Sequence, residues 1–283
     1  MDYMGKGICK MKELSQEQCI EIRKETLKEF HKMCEKNEIR YSLGYGSLLG
    51  AVRHGGMIPW DDDIDVIVSR NDFEKLCKIY SDSHCKDRYQ FVSHENHPEI
   101  KTKIGYFIDF STVTETAFKT NEYHGVHIDV YPVDVVPSGR IQQKALLFKR
   151  WILLKIIRAK DVHPEVMHGV ERLKRQLVQI IVSPFSYDKV LNRLQSLSQK
   201  FMNLPDEKKE VACILVETGK PLCFPFSITR EFKTYDYEGE QYWGFKEFDS
   251  ILKLWYGDYM TPPPSEDRHR PEHKFVRYYL KED

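Results

Sequence analysis

The run Trp60-Asp61-Asp62-Asp63-Ile64-Asp65 leads directly into Val66-Ile67-Val68, and no other stretch restricts the fold so tightly. β-Branched residues in succession belong in a buried strand. Carboxylates at the mouth of such a strand are not buried side by side unless a cation neutralises them. Side chains at i and i+2 of a strand point the same way, with Cα atoms roughly 6–7 Å apart. A strand beginning at Asp61 would put Asp61, Asp63 and Asp65 on one face, so that Asp63 and Asp65 converge on one hard cation. Acidic runs are usually solvated turns, but the aliphatic residues that follow this one argue for burial.

Upstream, Tyr41 to Leu43 form an apolar-flanked approach to Gly44 and Gly46, and Ser47 opens a short helical pattern through Leu48, Leu49 and Val52. Glycines let backbone N–H groups approach an anion, and a helix N-terminus adds its dipole, so this stretch reads as a phosphate site. Gly46-Ser47 followed by Asp63-Ile64-Asp65 resembles the nucleotidyltransferase signature of a Gly-Ser and a later Asp-h-Asp. The fuller run from Gly46 through Arg53-His54 and Ile58-Pro-Trp to Asp65 is similar to the LicD family. Bacterial members of that family are associated with phosphocholine transfer, and its animal relatives include fukutin-type ribitol-phosphate transferases. His127-Ile-Asp-Val-Tyr-Pro132, Tyr256-Gly-Asp-Tyr-Met260 and Pro262-Pro263-Pro264 resemble later family motifs. The resemblance covers about residues 15–140 and 240–275 and leaves the segment between unmatched.

The resemblance implies an α/β fold: a nucleotidyltransferase-type mixed β-sheet flanked by helices, with a mostly helical insertion. A third carboxylate from a neighbouring strand would join Asp63 and Asp65. Asp129 matches it, on the polar parity of a strand whose Val126, Ile128 and Val130 occupy the other. Asp134, expected in a turn before Pro137, is the competing candidate. Asp63, Asp65 and Asp129 would hold Mg2+ or Mn2+, and Asp129 could also take the proton of an attacking hydroxyl. Gly46 and Ser47 would cradle phosphates and Arg53 would support them or the acidic strand. Lys103 could meet the nucleotide phosphates or simply face solvent. The implied reaction moves phosphocholine from CDP-choline, or a related CDP-activated donor, to a hydroxyl of a glycan acceptor and releases CMP. The acceptor would be a teichoic acid or lipopolysaccharide precursor, lipid-linked in one reading. Alternatives are transfer of ribitol or glycerol phosphate, a nucleotidyltransferase that moves the NMP, and a binding module that has lost catalysis.

Lys plus Arg and Asp plus Glu both total 43, so the chain lacks the overall basic field of a nucleic-acid binder, and no nucleic-acid partner is expected. The seven cysteines include no Cys-x-x-Cys pair and read as reduced thiols. With no apolar signal core at the N-terminus and no run of ~18 apolar residues, a cytoplasmic location is expected. Ser15 with Gln18 predicts a capping box for a helix to about Lys36, whose charges read as a solvated surface. Asn71 with Glu74 predicts another helix start, followed by a strand at Tyr89 to Ser93. Lys101 to Phe110 and Ser111 to Phe118 are expected as paired antiparallel strands.

From Ile141 to Lys160, and again from Val170 to Phe185, basic and large apolar residues interleave. Such helices either lie at an anionic membrane surface, which would put the protein at the inner face of the cell membrane, or pack on each other and the catalytic part. The aromatic stretch from Phe224 to Phe248 has the composition of a quaternary-ammonium pocket and equally that of a core. Arg268, His269, Arg270, His273 and Lys274 form a basic segment that could fold back over phosphate. The i, i+4 spacing of His269 and His273 lacks a third zinc ligand. The expected organisation is a catalytic core over residues 1–140, a helical insertion over 141–205 that faces membrane or acceptor, and a part over 206–283 that completes the core and the donor head-group pocket.

Overall fold

The computed structural model describes residues 11–81, 87–116, 125–161, 169–217, 219–268 and 276–281. Strand β1 (Met11–Glu13) leads into helix α1 (Gln16–Lys36), which opens on the capping box read from the sequence: the Gln18 amide donates to Ser15 Oγ, and the Ser15 amide to Gln18 Oε1 at 2.9 Å. Strand β2 (Tyr41–Leu43) and helix α2 (Tyr45–Arg53) follow. The acidic run departs from expectation. Asp61 to Ile64 have no regular structure, and strand β3 (Asp65–Ser69) begins only at the last aspartate. The charges therefore gather at the lip of the strand and stay out of the ladder. Helix α3 (Arg70–Ile79) is capped two residues earlier than expected, by Ser69, whose Oγ takes the Asp72 amide at 3.1 Å.

Strands β4 (Tyr89–Val92) and β5 (Gly105–Asp109) pair antiparallel, and β6 (Thr112–Thr116) follows. β7 (Val126–Val136) runs five residues past the expected end, so Asp134 lies in a strand and not in a turn. The central sheet has the order β2-β3-β7-β5-β4, with β3 and β7 parallel and the other neighbours antiparallel. The expected pairing of β5 with β6 does not occur, because β4 and β7 already occupy both edges of β5. β6 pairs instead with the C-terminal strand β12 (Val276–Lys281), which also holds β1.

Between β7 and β12 come the helices α4 (Arg140–Asp161), α5 (Gly169–Val182) and α6 (Tyr187–Gln199), strands β8 (Val211–Cys213) and β9 (Cys223–Pro225), the hairpin β10 (Phe232–Tyr237) and β11 (Glu240–Phe245), and helix α7 (Phe248–Tyr256). β8 extends the sheet along the end of β7, and Cys213 and Cys223, both free thiols, are register partners across β8 and β9. Gly257, at φ 67°, ends α7 in a conformation that side-chain-bearing residues avoid.

The two faces of the sheet differ. Phe30 of α1 meets Phe107 edge-on and Phe73 of α3 meets Phe91, and Phe91 and Phe107 are register partners. Both helices therefore cover one face, to which the fully buried Val66, Ile128 and Val130 belong. The other parity of β7 brings His127, Asp129 and Tyr131 to the opposite face. Leu154 and Ile157 of α4 and Val190, Leu191 and Leu194 of α6 join the same main core. Among the described residues, no helix is long and apolar enough to cross a membrane.

Candidate active site

Asp65 and Asp129 are register partners on the parallel strands β3 and β7, so their side chains share one face of the sheet. The backbone around them is fully engaged. The Asp65 amide donates to Ser47 Oγ at 2.9 Å, the Asp65 carbonyl accepts from Gly44, and the Asp129 amide donates to Ile64 O. Asp129 is flanked along its strand by His127 Nε2 at 3.5 Å and by the Tyr131 hydroxyl at 3.5 Å. Burial pushes the Asp129 carboxyl up to about 8, and the neighbouring Asp63 charge adds to the rise, opposed by Arg23 and by the Tyr131 hydrogen bond. Carboxylate oxygens of Asp61, Asp62 and Asp63 lie within 4.8 Å of one another. Three hard oxygen donors gathered so closely fit a divalent cation such as Mg2+ or Mn2+. Of the expected ligands this group includes Asp63, while Asp65 and Asp129 lie outside it as neighbours on the adjoining sheet face.

Asp63 and Asp65 open onto a cleft of about 430 Å³ whose walls are Tyr45, Tyr131, Phe224, Trp255 and Tyr256. Tyr45 and Trp255 lie 4.6 Å apart between ring centroids, and Tyr45 and Tyr131 5.1 Å. Tyr45 adopts φ 39°, a left-handed conformation uncommon for an aromatic residue, at the first position of α2. Glu217 supplies a carboxylate to the same cleft. Burial and this carboxylate raise the Tyr45 phenol far above its ordinary range. The Glu217 segment is held from behind by Arg150, whose guanidinium donates to the Leu215 carbonyl at 2.8 Å and to the Glu217 carbonyl.

On the other side of the α2 N-terminus, and sharing Tyr256, lies a recess of about 300 Å³. It is lined by Gly46, Arg53, Trp60, Asp61 and Arg268. A side chain at Gly46 would collide with the Asp61 carboxylate, so the glycine is needed for that acid to reach the first turn of α2. Arg53 and Arg268 both approach the Trp60 ring, at 6.0 and 4.7 Å from its centroid. Burial, and then the like charge of Arg268, lower the Arg53 pKa. Two guanidiniums held together in this way favour an anion between them.

Several expected site residues fall elsewhere. The Ser47 hydroxyl is buried and takes the Asp65 amide, so it positions that strand instead of presenting itself to a phosphate. Lys103 precedes β5 and lines a small recess with Arg70 and Glu95, toward the Asp134 end of β7. Asp134 is fully buried against the Arg70 guanidinium, Oδ1 to Nε at 2.8 Å. Within the aromatic stretch 224–248, Tyr235, Tyr237, Tyr242 and Phe245 are core, and only Phe224 reaches the cleft. His269, Arg270, His273 and Lys274 lie outside the described residues. Arg268 lines the recess beside Trp60, with Nε donating to the Pro263 carbonyl at 2.9 Å.

The sequence reading missed Arg23. The charge pattern of α1 places it on a solvated surface, but it is buried, donates to the Tyr278 hydroxyl at 3.0 Å and acts on Asp129. The available signal was its position on the apolar stripe with Cys19, Leu27 and Phe30. Tyr45, Trp255 and Glu217 were missed as site residues because they come from three segments that only the tertiary fold brings together.

Comparison with known proteins agrees with the motif reading. Residues 38–168 match the family described as LicD/FKTN/FKRP, nucleotidyltransferase domain. The chain is 25% identical over 260 residues to the lipopolysaccharide cholinephosphotransferase LicD of Haemophilus influenzae, covering 89% of this chain and 93% of that protein. It is 46% identical over 48 residues to the ribitol 5-phosphate transferase FKRP of mouse and of human, 17% of this chain and 10% of theirs.

Proposed function

Because this chain belongs to the LicD family, we propose that it is a phosphotransferase of nucleotidyltransferase type that moves phosphocholine from CDP-choline to a hydroxyl of a surface glycan. The observation that carries the reading is the junction of the acidic cluster with an aromatic cleft that contains Glu217. A quaternary ammonium has no hydrogen-bond donor, so a protein holds it with ring faces and a nearby carboxylate. Tyr45, Tyr131 and Trp255 with Glu217 have that composition. The recess on the other side of α2, with Arg53 and Arg268, suits the CMP phosphate.

In the reaction the acceptor oxygen attacks the phosphorus of the phosphocholine group. The bond from that phosphorus to the bridging oxygen of the diphosphate breaks, and CMP leaves with the electron pair. Asp129, on the face that Asp65 shares, would take the proton of the acceptor hydroxyl in its ionised form. Asp63 and Asp65 would hold Mg2+, which when bound neutralises the diphosphate charge that repels a nucleophile. Tyr131 orients Asp129 through its hydroxyl. Arg53 and Arg268 hold the leaving nucleotide.

The FKRP match favours a second reading in which the donor is CDP-ribitol or CDP-glycerol. An alditol has hydroxyls that need polar partners, and the aromatic cleft suits it less well. The test is titration calorimetry and CMP release with Mg2+ and each of CDP-choline, CDP-ethanolamine, CDP-ribitol and CDP-glycerol. Preference for CDP-choline by about tenfold or more is expected. Preference for an alditol donor would replace the proposal with the second reading, and transfer of the NMP, seen in product mass, would refute both.

A further inference from the structure

Helix α4 is apolar on two opposite sides. Leu146, Arg150, Leu154 and Ile157 form its buried side. Half a turn away, Ile141, Phe148, Trp151 and Ile152 are exposed, Phe148 by 60% and Trp151 by 51%. Helix α5 presents a similar face. Leu173, Leu177, Ile180 and Ile181 form one stripe at helical spacing, and each is more than 60% exposed. Val178 and Val182 of α5 meet Trp151, Ile152 and Ile156 of α4 along a shallow trough, which joins the two helices into one surface. Of the fifteen exposed large apolar side chains among the described residues, ten lie between 141 and 185. A patch so concentrated marks an interaction surface.

Charge identifies the partner. The chain has no net charge, yet α4 carries seven basic residues against one acidic. Lys144, Lys149, Lys155 and Arg158 are exposed around the apolar face, and Lys155 Nζ lies 5.9 Å from the centre of the Trp151 ring, which stacks with Phe148. A second copy of the chain would bring the same cations against each other. An anionic bilayer answers both features, with lipid phosphates for the lysines and the acyl boundary for the rings and leucines.

We propose that the exposed face of α4 and α5 docks on an anionic membrane surface. The helix that docks is also the helix that holds the cleft. Arg150, across α4 from Phe148 and Ile152, carries the Leu215 to Glu217 backbone, so the cleft wall lies about one helix diameter, ~10 Å, behind the docking face. Docking is independent of the transfer chemistry. If both hold, the site meets acceptors carried on lipid.

The test is co-sedimentation of the full chain with vesicles of about one-third phosphatidylglycerol in phosphatidylcholine, compared with phosphatidylcholine alone. Binding to the anionic vesicles is expected, with a loss of about tenfold or more on neutral vesicles or in about 0.5 M salt. The pair Leu177→Glu/Ile181→Glu and the separate pair Lys144→Glu/Lys155→Glu should each abolish binding with unchanged circular dichroism. If one pair fails to fold, the other still decides. Absence of binding by the intact chain, equal binding to neutral vesicles, or retained binding in the folded variants would overturn the proposal. So would self-association in light scattering that the same variants remove while vesicles are ignored, because it would assign the face to a second copy.

Discussion

Asp129 and Asp134 stand five residues apart on one strand, and their surroundings differ in the one respect that separates architecture from chemistry. Asp134 is fully buried against Arg70, whose guanidinium also reaches Glu95 at 3.1 Å. One cation is shared by two acids in a pocket with room for about 30 Å³. At the opposite end of β7, Asp61, Asp62, Asp63, Asp65 and Asp129 gather beside a 430 Å³ cleft, and Arg23 is the guanidinium that acts on Asp129. The protein neutralises the first group itself. The second borders a cleft large enough to admit a ligand, where a divalent cation would be favoured by the gathered carboxylates.

The largest effects should separate these ends outright. Asp63→Ala or Asp65→Asn is expected to lower CMP release from CDP-choline by about 10³-fold or more, with melting temperature within a few degrees of wild type. Turnover within tenfold of wild type would dissolve the distinction from one side. Asp134→Ala should do the reverse, because it leaves the buried Arg70 charge with Glu95 alone, at a cost of about 3 kcal/mol. Denaturant unfolding should register that loss, and turnover per folded molecule at low temperature should stay near wild type. An Asp134→Ala protein as stable as wild type would dissolve it from the other side.

The acidic end was legible because its signal is local. Gly46-Ser47, the aspartate run and the parity of His127 and Asp129 are each contained in a few residues, and the helix caps at Ser15 and Gly257 are equally short-range. What failed was non-local. β6 could not be assigned to β12 without knowing that β7 takes the second edge of β5. Lys103 looked available to phosphate until the antiparallel direction of β5 carried it to the Arg70 end. The aromatic cleft was expected in the stretch 224–248, but the hairpin turned most of its rings inward, and the cleft drew Tyr45, Tyr131 and Trp255 from three separate elements. A ring's sequence neighbours do not say which face of a sheet it will meet.

An intermediate effect would sharpen the contrast inside the cleft. Glu217→Gln keeps the shape and the backbone bonds to Arg150 but removes one charge. It should raise KM for CDP-choline about tenfold, leave kcat nearly unchanged and barely affect CDP-glycerol, as expected for a group that binds the donor without entering the chemistry. Equal losses on both donors would make Glu217 a structural acid like Asp134.

The last test addresses the Asp129 carboxyl itself. An ordinary aspartate ionises near pH 4, whereas Asp129 in the folded protein does so at about 8. Between those values the folded chain keeps a proton that the unfolded chain releases. Stability without metal must therefore fall as pH rises across the window and level off above it. Asp129→Asn cannot ionise, so its melting temperature relative to wild type should climb steadily from pH ~5 to pH ~8, by up to about 1.4 kcal/mol of stability per pH unit. Saturating Mg2+ should reverse the ranking, because a cation rewards the ionised carboxylate and the amide gives it little. Binding should release about one proton near pH 7, visible as a buffer-dependent heat. Parallel pH profiles for wild type and variant, with and without Mg2+, would mean that the acids at this end are as well compensated as those around Arg70.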